Sequence, residues 1–232
     1  MKKRVFCIFI FVFQIIFFGC HNSASHFDLS KDERRTLALA AVRGNGDAAY
    51  RLGDYFAFTK LDYKNMIIWH TIGAENGHVN ATHSLSNILT RNENDEKTFL
   101  RGIFWRYKLA ILGHVINEAW TSEDDLLYHG YTLETAKPPS DSLYPSNPSL
   151  SEDEVERYKD GALRGSGKAA LVFSNFYKNI ADMESAEYWY QIGAQNGNVE
   201  CMKQYGTILA GKEEMLDQER GKFWLQRANA GG

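Results

Sequence analysis

Residues 165–197 read GSGKAALVFSNFYKNIADMESAEYWYQIGAQNG. Ala169, Phe173 and Tyr177 stand at i−4, i and i+4, so one helical face carries a small residue followed by two aromatic ones. A second apolar stripe holds Ala186, Trp189, Tyr190 and Ala194 and stops at Gly197, the residue type suited to the positive φ at a helix C′ position. Two helices are predicted, and a pair this small cannot bury both stripes without neighbours.

The same spacing recurs on both sides of this stretch. Trp69 and Trp105 are 36 residues apart and Trp189 and Trp224 are 35 apart, with Gly77, Gly113, Gly197 and Gly232 eight positions after each. Eight residues after Gly44, Gly77, Gly165 and Gly197 come Leu52, Leu85, Phe173 and Tyr205. Each has Ala48, Ala81, Ala169 or Cys201 four positions earlier and Phe56, Leu89, Tyr177 or Leu209 four later. Four helix pairs are therefore expected, over 44–113 and 165–232, stacked so that small residues on one face meet large ones on the next.

A longer period lies over the short one. Leu29-Ser30-Lys31-Asp32-Glu33 matches Leu150-Ser151-Glu152-Asp153-Glu154, 121 residues on, and both read Ser-x-x-Glu, the capping box of a helix start. The match continues through Arg43-Gly44-x-Gly46 and Arg164-Gly165-x-Gly167. The halves 30–113 and 150–232 read as duplicates, each opened by a helix of its own, over 32–43 and 152–164. Between them, 114–149 holds all four prolines with several serines and the aromatics Trp120, Tyr128, Tyr131 and Tyr144. Such a segment cannot continue the helices, and its aromatic content predicts that it packs on them or on a partner, with one short helix around 116–131.

These columns resemble the Sel1-like repeat, a relative of the tetratricopeptide repeat. The resemblance rests on Ala48, Leu52, Gly53, Trp69, Gly73, Ala74 and Gly77 in the first unit, and on Ala169, Phe173, Tyr177, Ala186, Trp189, Tyr190, Ala194 and Gly197 in the third. It implies an all-α fold, a right-handed α/α solenoid of helix-turn-helix units. The family's Gly-x-Gly-Val turn is absent, and units one and three are shorter there, with 17 residues from Leu52 to Trp69 and 16 from Phe173 to Trp189. Tight turns are expected.

Lys2, Lys3 and Arg4 precede an apolar run from Val5 to Phe18 that is shorter than the roughly 20 residues a spanning helix needs, the layout of a secretory signal over 1–19. Phe17-Phe18-Gly19-Cys20 resembles a bacterial lipobox, which implies acylation of Cys20, a tether over 20–29 and a cell-envelope location. The resemblance, with His21 after the cysteine, favours the periplasmic side of the outer membrane. Cleavage there would change the formal charge from −3 to −6, so nucleic acid is not an expected partner.

Little in the chain carries chemistry. His78 and His83 have no carboxylate at ligand spacing and read as surface residues; no metal site or cofactor is expected. Gly165-Ser166-Gly167-Lys168 lacks the first glycine and the hydroxyl of a phosphate loop, since Ala162 and Ala169 stand there. Cys201 falls in the small core column, and Glu123-Asp124-Asp125 reads as a solvated helix start. No catalytic constellation is found, and the chain reads as a non-enzyme.

What remains is a recognition surface. In stacked helix pairs the first helices line the concave side, and here Arg51, Asp54, Tyr55, His83, Asn87, Asn175, Phe176, Lys203 and Thr207 fall between the core columns. The expected partner is another protein, with the membrane reached through the lipid. The resemblance further implies an immunity protein that blocks a secreted antibacterial toxin such as a phospholipase. The alternatives are an enzyme or enzyme regulator acting on cell-wall material and a multi-partner envelope scaffold.

Overall fold

A computed structural model describes residues 27–91, 94–117, 120–146 and 151–231. The signal segment, Cys20, Pro148 and Gly232 lie outside the described residues. Twelve α-helices follow in order: α1 (Lys31–Val42), α2 (Gly46–Asp54), α3 (Tyr63–Glu75), α4 (Val79–Thr90), α5 (Glu96–Ile111), α6 (Ser122–Tyr128), α7 (Leu133–Ala136), α8 (Glu152–Leu163), α9 (Gly167–Asn179), α10 (Met183–Gln195), α11 (Val199–Ala210) and α12 (Met215–Asn229). Among the described residues the fold is all-helical apart from one short antiparallel pair, β1 (Val115–Asn117) and β2 (Trp120–Thr121).

Helices pack pairwise, α2 on α3, α4 on α5, α9 on α10 and α11 on α12. Phe173 meets Trp189 edge to face with centroids 4.8 Å apart, so these two rings close the third pair internally. Successive pairs approach through their small columns. A Cβ on Gly73 would lie 2.5 Å from the Ala81 Cβ, and one on Gly193 would lie 2.3 Å from the Cys201 Sγ, so α3 meets α4, and α10 meets α11, almost backbone to backbone. Cys201 is fully buried in its column.

The stack does not end freely. Helix α1 lies against α2 and also against α12, while α8 lies against α9 and also against α5. Contacts thus run from α1 through α5 to α8, on to α12 and back to α1, a closed circuit in which each half's opening helix meets the other half's last helix. Gly44 admits the Phe223 ring at the first join and Gly165 admits the Phe104 ring at the second.

The helix ends follow local chemistry. Ser30 and Glu33 form a reciprocal capping box before α1, and Ser151 N–H donates to the Glu154 carboxylate at 3.3 Å before α8. Gly44, Gly77, Gly113, Gly165 and Gly197 take positive φ after their helices. The last C′ glycine is Gly231 and not the expected Gly232, because α12 ends at Asn229, one residue sooner after its tryptophan.

In units one and three the turn between helices passes through a non-glycine left-handed residue, Leu61 at φ 52° and Ala181 at φ 60°. Unit one has the extra residue of spacing, and absorbs it as a π-helical stretch, Tyr55–Lys60, running on from α2. The insertion does pack. Leu126, Ala136 and Tyr144 are buried, the first two against Ile103 of α5 and the third against Tyr158 of α8. The helix expected around 116–131 starts only at Ser122: β1 and β2 come first, and Thr121 caps α6 reciprocally with Asp124.

Candidate functional site

Two of the expected recognition residues line one cavity. Asp54 at the end of α2 and Asn87 on α4 border a space of about 500 Å³, with Phe58, Leu61, Tyr63 and His70 among the other walls. Its apolar rim stands in solvent, Phe58 being 63% exposed, Leu61 82% and Tyr63 56%. The π-helical stretch and the left-handed Leu61 hold these side chains out of the core.

At the base lies His70, buried because Gly53 has no Cβ; one there would come within 2.5 Å of the imidazole. Its Nε2 is 3.9 Å from Asp54 Oδ1, too far for a hydrogen bond, and its Nδ1 has no partner among the described residues. Desolvation, helped by the charge of His78, pushes its pKa down to about 4. Desolvation raises the Asp54 pKa, partly offset by a hydrogen bond from Tyr50 and by His78. Tyr50 stacks on His78 with centroids 4.8 Å apart.

His78 and His83 are half-buried, not the surface residues expected, because each is built into a contact. His78 caps α4 by accepting from Ala81 N–H at 3.1 Å, and its Nε2 is 2.9 Å from Asp47 Oδ1. His83 Nε2 and Asn87 Nδ2 are 3.2 Å apart, and the pKa of His83 is lowered by burial and then by Arg106 and His114. Arg106 donates to Asn87 Oδ1 and Thr90 Oγ1, each at 2.8 Å, and pairs with Asp125. The acidic run therefore does more than start a solvated helix: Asp125 ties the insertion to the first half beneath Asn87.

The other expected residues are dispersed. Tyr55 is 1% exposed, and its hydroxyl accepts from Arg34, so it belongs to the core: three residues after Leu52, it shares the buried face that packs on α1. Arg51, Asn175, Lys203 and Thr207 are exposed. Asn175 accepts from Tyr190 Oη at 2.7 Å, occupying in the second half the place that Asp54 holds beside His70 in the first. Phe176 is half-buried against Phe173, and Thr207 donates to the Lys203 carbonyl at 2.8 Å.

The most ordered polar cluster lies where the halves meet, on the second helices. Arg220 donates through Nη1 to Asn76 Oδ1 at 2.7 Å and to the Val42 carbonyl at 3.5 Å, and through Nη2 to Glu75 Oε2 at 2.6 Å. Arg101 donates through Nη1 to Asn196 Oδ1 at 2.9 Å and to the Leu163 carbonyl at 3.0 Å, and through Nη2 to Gln195 Oε1 at 2.8 Å. Gln195 Nε2 then donates to Glu75 Oε1 at 2.7 Å across the join. Helix ends are capped in the same symmetry, Lys108 Nζ on the Gln195 carbonyl at 3.0 Å and Arg227 Nη1 on the Glu75 carbonyl at 2.7 Å. The sequence signal was available, since Glu75 and Gln195, Asn76 and Asn196, and Arg101 and Arg220 are each about one half-length apart, but those positions lie outside the small and large columns.

Among the described residues no group of three His, Cys, Asp or Glu side chains could hold a metal ion, and no helix is long and apolar enough to cross a membrane. No protein-family model matches the chain, and no curated protein matches it.

Proposed function

We propose that this chain is a lipid-anchored protein-binding module of the cell envelope, built as a right-handed α/α solenoid of Sel1-like repeats. The observation that carries the reading is the solvent-facing apolar rim of Phe58, Leu61 and Tyr63 over a polar floor of Asp54 and Asn87. An aromatic patch bordered by buried polar groups is the composition of a protein-binding surface. A narrower form of the reading makes it an immunity protein that occludes a secreted toxin such as a phospholipase, with Cys20 holding it at the periplasmic face of the outer membrane. Affinity purification of the acylated protein tests it. One dominant partner, lost when Phe58 and Tyr63 are both changed to Ser, is the expected result; no partner, or one indifferent to that change, counts against it.

A second reading, an enzyme or regulator acting on cell-wall material, draws on His70 and Asp54 facing the same cavity with pKa values displaced in opposite directions. Turnover of cell-wall fragments that disappears in H70F would favour it over the binding module.

A further inference from the structure

At the join of the halves a second cavity of about 230 Å³ opens beside the polar network, and its walls come from both halves in matching pairs. Trp105 and Trp224 are one such pair, Ala74 and Ala194 another, Lys108 and Arg227 a third. Val79, Leu109, Ile111 and Leu112 complete a mostly apolar lining.

The charge around this cavity does not balance. Arg101, Arg220, Lys108 and Arg227 gather around it, and of the four only Arg220 bonds a carboxylate, that of Glu75, while Gln195 stands where strict duplication would place a second one. Backbone carbonyls satisfy donor directions of these cations but carry no formal charge, so positive charge remains beside a low-dielectric wall. The tryptophans supply the apolar side: Lys108 Nζ lies 5.0 Å from the Trp105 ring centroid and the Arg227 guanidinium 5.6 Å from that of Trp224, so the cations sit beside aromatic walls.

We propose that this cavity binds a small organic carboxylate with an apolar body, its anionic end held by Lys108 and Arg227 and its body lying among Trp105, Leu109 and Leu112. The lining argues for a carboxylate with hydrocarbon attached and against bare phosphate, which would leave the apolar walls unused. The volume limits the body to about one or two rings or a short chain. Burial, with Arg101 and Arg227 nearby, holds the Lys108 pKa at about 8, so a bound anion would stabilise its protonated form. The proposal does not depend on the protein-binding reading, which uses the groove over His70.

The test uses 1-naphthoate and its neutral isostere 1-naphthamide as probes, titrated calorimetrically into the full-length protein. Naphthoate binds one per chain with a sub-millimolar Kd, and naphthamide binds at least about tenfold more weakly. K108M removes most of that preference for the anion, and V79W, at an exposed rim position, blocks both probes while the circular dichroism stays native. Equal affinity for the two probes in the unaltered protein, no saturable binding, or naphthoate affinity unchanged in V79W would overturn the proposal. The comparison of the two probes requires no variant to fold.

Discussion

Arg101 and Arg220 make the same three hydrogen bonds in opposite halves, each to an Asn side chain, to the last carbonyl of a half's opening helix and to the residue at position 75 or 195. The guanidinium planes also lie alike, each 4.0 Å from the centroid of the Phe three residues on, Phe104 or Phe223. The symmetry breaks at one atom pair, since Arg220 meets the carboxylate of Glu75 and Arg101 meets the amide of Gln195.

That difference sets unequal costs. R220M strands a buried carboxylate and is expected to lower stability by about 3–5 kcal/mol, whereas R101M strands only neutral acceptors and costs about 1–3 kcal/mol. E75Q should recover part of the loss in the R220M background. Urea unfolding of the three variants checks the order, and equal costs for R101M and R220M would contradict it.

The left-handed residues give a local test. Ala181 is exposed at φ 60°, a conformation costing an L-residue about 1–2 kcal/mol, against roughly 0.5–1 kcal/mol of extra chain entropy for glycine. A181G should therefore raise stability by up to about 1 kcal/mol, while G197A, at φ 92°, should lower it by about 1 kcal/mol or more. Thermal unfolding of both variants reads the opposite signs.

His70 predicts a pH dependence. Its pKa falls from 6.5 to about 4 on folding, so below about 6.5 the unfolded chain binds the proton that the folded one refuses. Stability is full above that pH and is lost as pH falls toward 4, by about 3 kcal/mol at most. His83, also lowered, acts in the same direction; Asp54, raised, acts oppositely and nearer pH 4. H70Y, which installs the residue found at the matching Tyr190, should flatten the slope between pH 5 and 7 in denaturant titrations.

Cys201 reports opening of the second half. Its thiol is fully buried, burial pushes its pKa well above the usual range, and Gly193 packs against its Sγ. Iodoacetamide should leave it unmodified in the folded protein and label it as urea opens α10 from α11. Rapid labelling without denaturant would show that contact to be loose.

The columns of Ala, Leu, Phe and Trp were enough to place the helix pairs, because helix period and close backbone approach are written in side-chain size. The duplication was legible in Leu29–Glu33 and Leu150–Glu154 for a similar reason, as caps are local chemistry. Closure was not legible, since it depends on Arg101 and Arg220 reaching carbonyls 62 and 178 residues away. Of the groove residues, Asp54 and Asn87 share a cavity, while Tyr55 is covered by α1 and its Arg34, a contact between helices that the repeat spacing does not reveal.

The two halves close on each other, bringing α1 to α12. Arg43 Nε lies 2.7 Å from Glu219 Oε2 across that join. With Cys7, Cys20 and Cys201 replaced by Ala, cysteines at positions 43 and 219 should be bridged within one chain by a short bismaleimide, giving a monomeric product of native helicity. Absence of the intrachain bridge, with both thiols reactive, would mean that the two ends stand apart and that the circuit is open.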